Sequence, residues 1–166
     1  MKNIFKILAL PLIALFALSC EKDDIGGTAT ESMAGEWVIT AIECYDTDGN
    51  YYGEYCEYYD CTFSIYTFNT AANVEDEMWI SDAGAGYFWY FQSKVDINQT
   101  TKTFSATDSE DLYYGITINF TDGVITTDGA TSPTGMPTDA ISFTAEFSDD
   151  PGYLYKYSGY RWSGFE

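Results

Sequence analysis

Ile141-Ser142-Phe143-Thr144-Ala145-Glu146-Phe147 sets four apolar side chains on one face and three polar ones on the other. This period-two alternation is that of a half-buried β-strand. The same pattern extends on both sides. Upstream, Tyr114, Ile116, Ile118 and Phe120 alternate with Gly115, Thr117 and Asn119, and Asp122-Gly123 reads as a hairpin turn into Val124 to Thr127. Downstream, Asp149 to Gly152 makes a turn and Tyr153 to Trp162 a last strand. The first half continues the series at Glu36 to Tyr45, Cys61 to Asn69, Glu77 to Ser81, Tyr87 to Ile97 and Thr103 to Thr107, with a turn over Asn98 to Lys102. None of these stretches carries a long helical pattern. The fold class is all-β: about eight short antiparallel strands, closed as a barrel or packed as a sandwich.

The ends of the strand series favour a barrel. Gly35-Glu36-Trp37 opens the first strand and Arg161 sits on the last. The pair is similar to the calycin (lipocalin-like) arrangement, in which a tryptophan at the barrel base lies under a basic residue of the final strand. A guanidinium over an indole face is worth about 0.5–2 kcal/mol. An eight-stranded barrel is either filled by side chains or holds one small ligand. The inward set predicted from the stripes is Ile116, Ile118, Phe120, Ile141, Phe143 and Phe147, with Trp37 at the base and Tyr155 and Tyr157 as further candidates.

Composition excludes several function classes. The chain has 26 acidic residues against 7 basic ones, no histidine, and a formal charge of −19. Such acidity repels nucleic acid, whose binding depends on Lys and Arg neutralising phosphates, and it rules out a polybasic reader of anionic lipids. Aromatics make up 18% of the residues, which argues for a folded domain against a disordered acidic one. Without histidine there is no Ser-His-Asp or Cys-His arrangement and no ordinary hydrolytic zinc site. A pair of carboxylates is the remaining route to hydrolysis. No cofactor is expected.

The N-terminus carries an address. Lys2 and Lys6 precede an apolar run from Ile7 to Leu18 and a small Ser19, as in a secretory signal. The run is too short to span a bilayer, which takes about 20 residues. Ala17-Leu18-Ser19-Cys20 resembles a bacterial lipobox, which implies acylation of Cys20. Lys22-Asp23-Asp24 resembles the export signal of surface-exposed lipoproteins in the Bacteroidetes phylum. The expected organisation is a signal peptide over 1–19, a lipidated N-terminus and flexible tether over 20–34, and a barrel domain over 35–166. The expected location is the outer membrane and cell surface, reached through the lipid anchor alone.

Three further features bear on function. Cys44, Cys56 and Cys61 lie in an exported chain, so Cys61 could pair with Cys44 or with Cys56. Asp46, Asp48, Asn50 and Glu57 fall at positions one, three, five and twelve of a calcium-loop spacing, but Tyr51 stands where that loop needs glycine, and Asp, Gly and Asn also favour a plain turn. Tyr51, Tyr52, Tyr55, Tyr58 and Tyr59 interleave with Glu54, Glu57 and Asp60 in what reads as a loop. Exposed aromatics of this kind mark interaction sites.

Longer segments carry a more specific resemblance. Phe68-Asn69-Thr70-Ala71-Ala72-Asn73 running on to Glu77-Met78-Trp79-Ile80, Thr131 to Ile141 (TSPTGMPTDAI), and Ser158-Gly159-Tyr160-Arg161-Trp162-Ser163-Gly164-Phe165 are similar to the lipid-binding putative hydrolases of Bacteroidetes. The similarity spans Gly35 to Glu166. It implies a lipocalin-like antiparallel barrel and a small apolar or amphipathic ligand, and it supplies no catalytic residues. Three functions follow as expectations: lipid-like ligand binding inside the barrel, glycan or partner binding by the tyrosine cluster, and carboxylate-based hydrolysis.

Overall fold

The computed structural model describes residues 27–55, 63–84 and 88–164. Nine strands follow in order: β1 (Gly35–Asp46), β2 (Tyr51–Glu54), β3 (Phe63–Asn69), β4 (Glu77–Ser81), β5 (Gln92–Asn98), β6 (Thr103–Glu110), β7 (Thr117–Thr131), β8 (Pro137–Phe147) and β9 (Tyr153–Arg161). Every pairing is antiparallel, and β1 pairs with both β3 and β9, which closes eight strands into a lipocalin-like barrel. Closure removes the exposed edges that an open sheet would leave for aggregation. β2 stands outside the ring. It pairs with the far end of β1, Cys44 opposite Gly53, and extends the wall above the barrel rim.

The inward stripes are aromatic. Phe120, Phe143, Phe147 and Tyr157 are fully buried together with Trp37, Ile39, Ile42, Ile65, Met78 and Ile80. Phe143 stacks on Tyr157 at 4.7 Å and 7°, and Phe104 and Phe120 lie 5.8 and 5.9 Å from it. The barrel is therefore filled by its own rings. On β3, where both faces carry apolar residues, Phe63, Ile65 and Thr67 are buried and Phe68 is exposed.

Two stripes change parity along a strand, and bulges are the cause. On β1 the register against β9 shifts between Ile39 and Ala41, so inward residues run Trp37, Ile39, then Ile42, Cys44. One extra residue turns the next side chain to the opposite face. On β7 the same happens at Asp122-Gly123. The hairpin turn expected there is instead a bulge inside one continuous strand: Thr121 faces Thr144 and Val124 faces Ser142. Asp122 has a φ of 53°, the conformation that suits a tight turn and a bulge alike. Partner strands decide between them. β8 runs unbroken past the site, and β6 closes on it so tightly that a Cβ on Gly123 would sit 2.4 Å from the Phe104 carbonyl oxygen.

The base is closed by residues 28–34. These were expected as the end of a flexible tether, yet Thr30 and Met33 are fully buried. Backbone bonds from Met33 and Ala34 to the Thr30 carbonyl shape a turn. Thr67 Oγ1 donates to the Met33 carbonyl (2.7 Å) and accepts from Trp37 Nε1 (2.8 Å). The folded unit thus begins before Gly35. Arg161 lies opposite Trp37 in register, its guanidinium 4.5 Å from the indole centre. Arg161 also donates through Nη1 to the Ala34 carbonyl (2.7 Å) and sits 3.3 Å from Asp139 as an ion pair.

Candidate functional site at the barrel mouth

The opposite end carries most of the exposed aromatics and a cleft. The segment Phe88-Trp89-Tyr90-Phe91, expected as the start of a strand, lies outside the strands, although the Phe91 carbonyl accepts from the Asp82 amide (3.1 Å). It folds across the mouth before β5 begins at Gln92. Its two polar anchors are buried carboxylates. Asp82 Oδ1 accepts from the amides of Gly84 (2.9 Å) and Phe91 (3.2 Å), and Asp111 Oδ1 accepts from Gln92 (2.8 Å). The other oxygen of Asp111 accepts from the amides of Tyr113 and Tyr114. Phe91 drops into the interior, 5.8 Å from Phe120 and 6.2 Å from Tyr157. Phe88 rests above it against Tyr155 (4.7 Å), and the Trp89 ring stacks on Phe147 at 5.2 Å while Nε1 donates to Asp149. The mouth is plugged by its own chain.

Above the plug, Cys44, Tyr52, Gly53, Glu54, Tyr55, Asp150, Tyr153 and Tyr155 line an open-topped cleft of about 480 Å³. The sheet register builds it: Cys44 on β1 faces Tyr155 on β9 and Gly53 on β2, so three neighbouring strands share one row. The rings meet edge to face, Tyr52 with Tyr153 at 5.5 Å and 88°, Tyr55 with Tyr155 at 6.2 Å and 72°. Tyr55 also packs on Phe88 at 4.4 Å, which ties the wall to the plug.

Three groups at the cleft, Tyr155, Tyr52 and Cys44, are held more firmly protonated than usual. Burial and the hydrogen bond it donates to Asp150 Oδ2 push the Tyr155 phenol well above its ordinary range. The Asp46 carboxylate raises Tyr52. Burial raises the Cys44 thiol, which keeps it protonated and a poor nucleophile. The arrangement offers aromatic faces and two carboxylates, Glu54 and Asp150, rather than an acid–base pair involving histidine.

The residues singled out from sequence fall into distinct places. Ile118, Phe120, Ile141, Phe143 and Phe147 are buried in the filled core, with Ile116 partly buried just before β7. None of the six is among the lining residues of the mouth cleft. Tyr51 and Tyr52 sit on a strand, β2, not in a loop, and both are exposed, as is Tyr55. Tyr58 and Tyr59 lie outside the described residues, as do Glu57, Cys56 and Cys61. Cys44 is a buried free thiol among the described residues. Asp46 spends its carboxylate on the β1–β2 turn, Oδ1 accepting from the amides of Asp48 (3.0 Å) and Asn50 (2.8 Å) and Oδ2 from Asn50 Nδ2 (2.8 Å). Cys20, Lys22, Asp23 and Asp24 also lie outside the described residues.

Sequence reasoning missed the plug residues Phe88, Trp89 and Phe91, their anchors Asp82 and Asp111, and the cleft residues Asp150 and Tyr153. One signal was present. Phe88 to Phe91 is a run of four aromatics without alternation, which does not suit a strand with one wet face.

No curated protein matches the chain. A family model does, over residues 22–166, under the description lipid-binding putative hydrolase. The protein, an aromatic-filled barrel with a tyrosine-walled mouth, belongs to the lipid-binding putative hydrolase family.

Proposed function

We propose that this chain is a surface-anchored lipoprotein whose barrel mouth binds a small amphipathic, lipid-like molecule. The observation that carries the binding reading is the cleft at the open end of a filled barrel. Its volume, about 480 Å³, lies within the range of roughly 300–1,000 Å³ typical of small-ligand sites. Its walls pair flat apolar faces with phenol and carboxylate edges, which suits a ligand with one wet and one dry end. The family description supports a lipid-like ligand. An apolar tail lies along Tyr55, Tyr155 and Phe88, above the plug. Entry into the interior would require Phe88 and Phe91 to leave.

The anchor reading rests on Ala17-Leu18-Ser19-Cys20 and the Lys22-Asp23-Asp24 that follows. Two or more acyl chains on one residue give stable attachment without a membrane span. Radiolabelled palmitate should enter the wild-type chain and be absent from Cys20→Ala. Equal labelling of both would overturn the anchor.

Binding is tested by native mass spectrometry of the purified protein with extraction of whatever co-purifies, and by displacement of a fluorescent fatty-acid probe. A one-to-one ligand lost in Tyr55→Ala but retained in Ile118→Val supports the mouth. Loss in the reverse order places the ligand inside the barrel. A second reading, glycan binding, is favoured by the exposure of Tyr51 and Tyr52 beside Glu54. It predicts that Tyr51→Ala, outside the cleft walls, abolishes polysaccharide retention while lipid displacement is unaffected.

A further inference from the structure

The chemistry of the cleft specifies the charge of what it holds. We propose that the mouth cleft is an aromatic cage for a cation, and that it takes the ammonium head of an amphipathic ligand. The proposal rests on the mouth-binding reading above and adds the head-group class to it.

Four tyrosine rings line the cleft, from β2 and its end (Tyr52, Tyr55) and from β9 (Tyr153, Tyr155). They meet in two edge-to-face pairs, at 88° and 72°, and all four belong to the walls of the one cleft. Ring faces carry the negative part of the aromatic quadrupole and attract alkylammonium groups within about 6 Å.

Two of the four hydroxyls are already engaged by carboxylates. Tyr155 donates to Asp150 and Tyr52 is hydrogen-bonded with Asp46. These two phenols therefore spend their donors on carboxylates, and an anionic head would find Glu54 and Asp150 in the same walls. Nor does the protein supply a positive charge there. Among the described residues Lys94 pairs with Glu77, Lys156 with Glu43 and Arg161 with Asp139, while Lys102 bonds Thr127; none of the four lines the cleft. A chain of charge −19 also raises the local concentration of cations at such an opening. An ammonium head satisfies all of these features at once. A carboxylate or phosphate head satisfies none.

The test compares three probes with the same twelve-carbon tail on the purified protein, below their micelle concentrations and in about 0.15 M salt, where exposed charges are screened beyond about 8 Å. They are dodecyltrimethylammonium, laurate and dodecyl maltoside, followed by calorimetry and by tyrosine-ring NMR shifts. The expected result is one dodecyltrimethylammonium per chain, bound at least tenfold more tightly than either of the others. Glu54→Gln and Tyr153→Leu should each weaken it about fivefold or more, Glu77→Gln, whose carboxylate pairs with Lys94 away from the cleft, should leave it within twofold, and all three variants should keep the wild-type melting temperature within a few degrees. Tetramethylammonium separates two sources of the same chemistry. Measurable binding on its own supports a free amine as ligand, and binding only with the tail supports a lipid head group.

Laurate or maltoside binding as tightly as the cation at these residues would overturn the head-group assignment and leave mouth binding intact. Cation binding at many sites, indifferent to Glu54→Gln and Tyr153→Leu, would overturn it as mere surface charge. Failure of all three probes would overturn the mouth-binding reading itself.

Discussion

Replacing Phe143 by alanine tests whether the barrel is filled. The Phe143 ring is 1% exposed, stacks on Tyr157 at 4.7 Å, and has Phe104, Phe120 and Phe91 within 5.8, 5.9 and 6.5 Å. Four of its neighbours are rigid rings held on separate elements, so the hole cannot close by a rotamer change. Phe→Ala in such a site costs about 3–5 kcal/mol, the transfer of the ring plus the residual cavity. We expect about 4 kcal/mol, which is a large share of the ~5–15 kcal/mol that holds a domain together. Urea unfolding followed by tyrosine and tryptophan fluorescence is the assay. With a slope of about 2 kcal/mol per molar, the midpoint should fall by about 2 M. The vacated space should also take up benzene, as dry apolar cavities do. A loss below about 1.5 kcal/mol with an unchanged slope would refute the packing argument, because a ring facing an open chamber has little contact to lose.

Three further outcomes follow from other parts of the molecule. Tyr157 is fully buried and its hydroxyl has no hydrogen-bond partner among the described residues; Tyr157→Phe should therefore raise stability at pH 7 by about 1 kcal/mol, read as a higher urea midpoint, and a lower midpoint would mean the hydroxyl is satisfied. Burial raises the folded-state pKa of Tyr157 above the unfolded value near 10, so its contribution is complete below pH ~10 and is lost above it, as unfolded phenols ionise first, at up to about 1.4 kcal/mol per pH unit. Melting between pH 9 and 11 should show that fall in the wild type and a shallower one in Tyr157→Phe; identical slopes would refute the assignment. At the seam between β1 and β9, a Cβ on Gly159 would lie 2.3 Å from the Val38 carbonyl oxygen and 3.1 Å from Ile39 Cα. Both obstacles are backbone, so Gly159→Ala should destabilise by more than about 2 kcal/mol, and a neutral result by calorimetry would mean that the seam is looser than drawn. Arg161→Ala removes the guanidinium over Trp37 and its bond to the Ala34 carbonyl, and should cost about 1–3 kcal/mol. Proteolysis near residues 28–34 should quicken with it, and protection equal to wild type would count against the base acting as a clasp.

What sequence could reveal followed from which forces are local. The β8 stripe Ile141, Phe143, Ala145 and Phe147 was legible because one strand, unbroken by bulges, faces water on one side and the core on the other. The turn over Asn98 to Lys102 was legible for the same local reason: Asn98 Oδ1 accepts from the amides of Thr100 and Thr101. Asp122-Gly123 misled because a positive φ serves turn and bulge alike, and only the partners β6 and β8 distinguish them. The Phe88 to Phe91 plug was hidden because its anchors, Asp82 and Asp111, are six or more residues away in sequence. Residues 28–34 read as tether because their composition is small and polar, whereas their order comes from bonds to Thr67 and Arg161 on distant strands and to Asn73 and Gln99 in distant turns. The cleft was half legible. Tyr52 and Tyr55 stood out as a cluster, but Tyr153, Tyr155 and Asp150 join them only through the β1–β9 closure.

The measurement that reaches the central claim most directly is a two-dimensional NMR titration of the purified protein with a twelve-carbon amphiphile. Amide and ring shifts confined to Cys44, Tyr52 to Tyr55 and Asp150 to Tyr155, with Phe120 and Phe143 unmoved, are what a plugged barrel with a binding mouth predicts. Large shifts at Phe120, Phe143 and Ile118, with those of the mouth residues small, would contradict it and return the ligand to the interior.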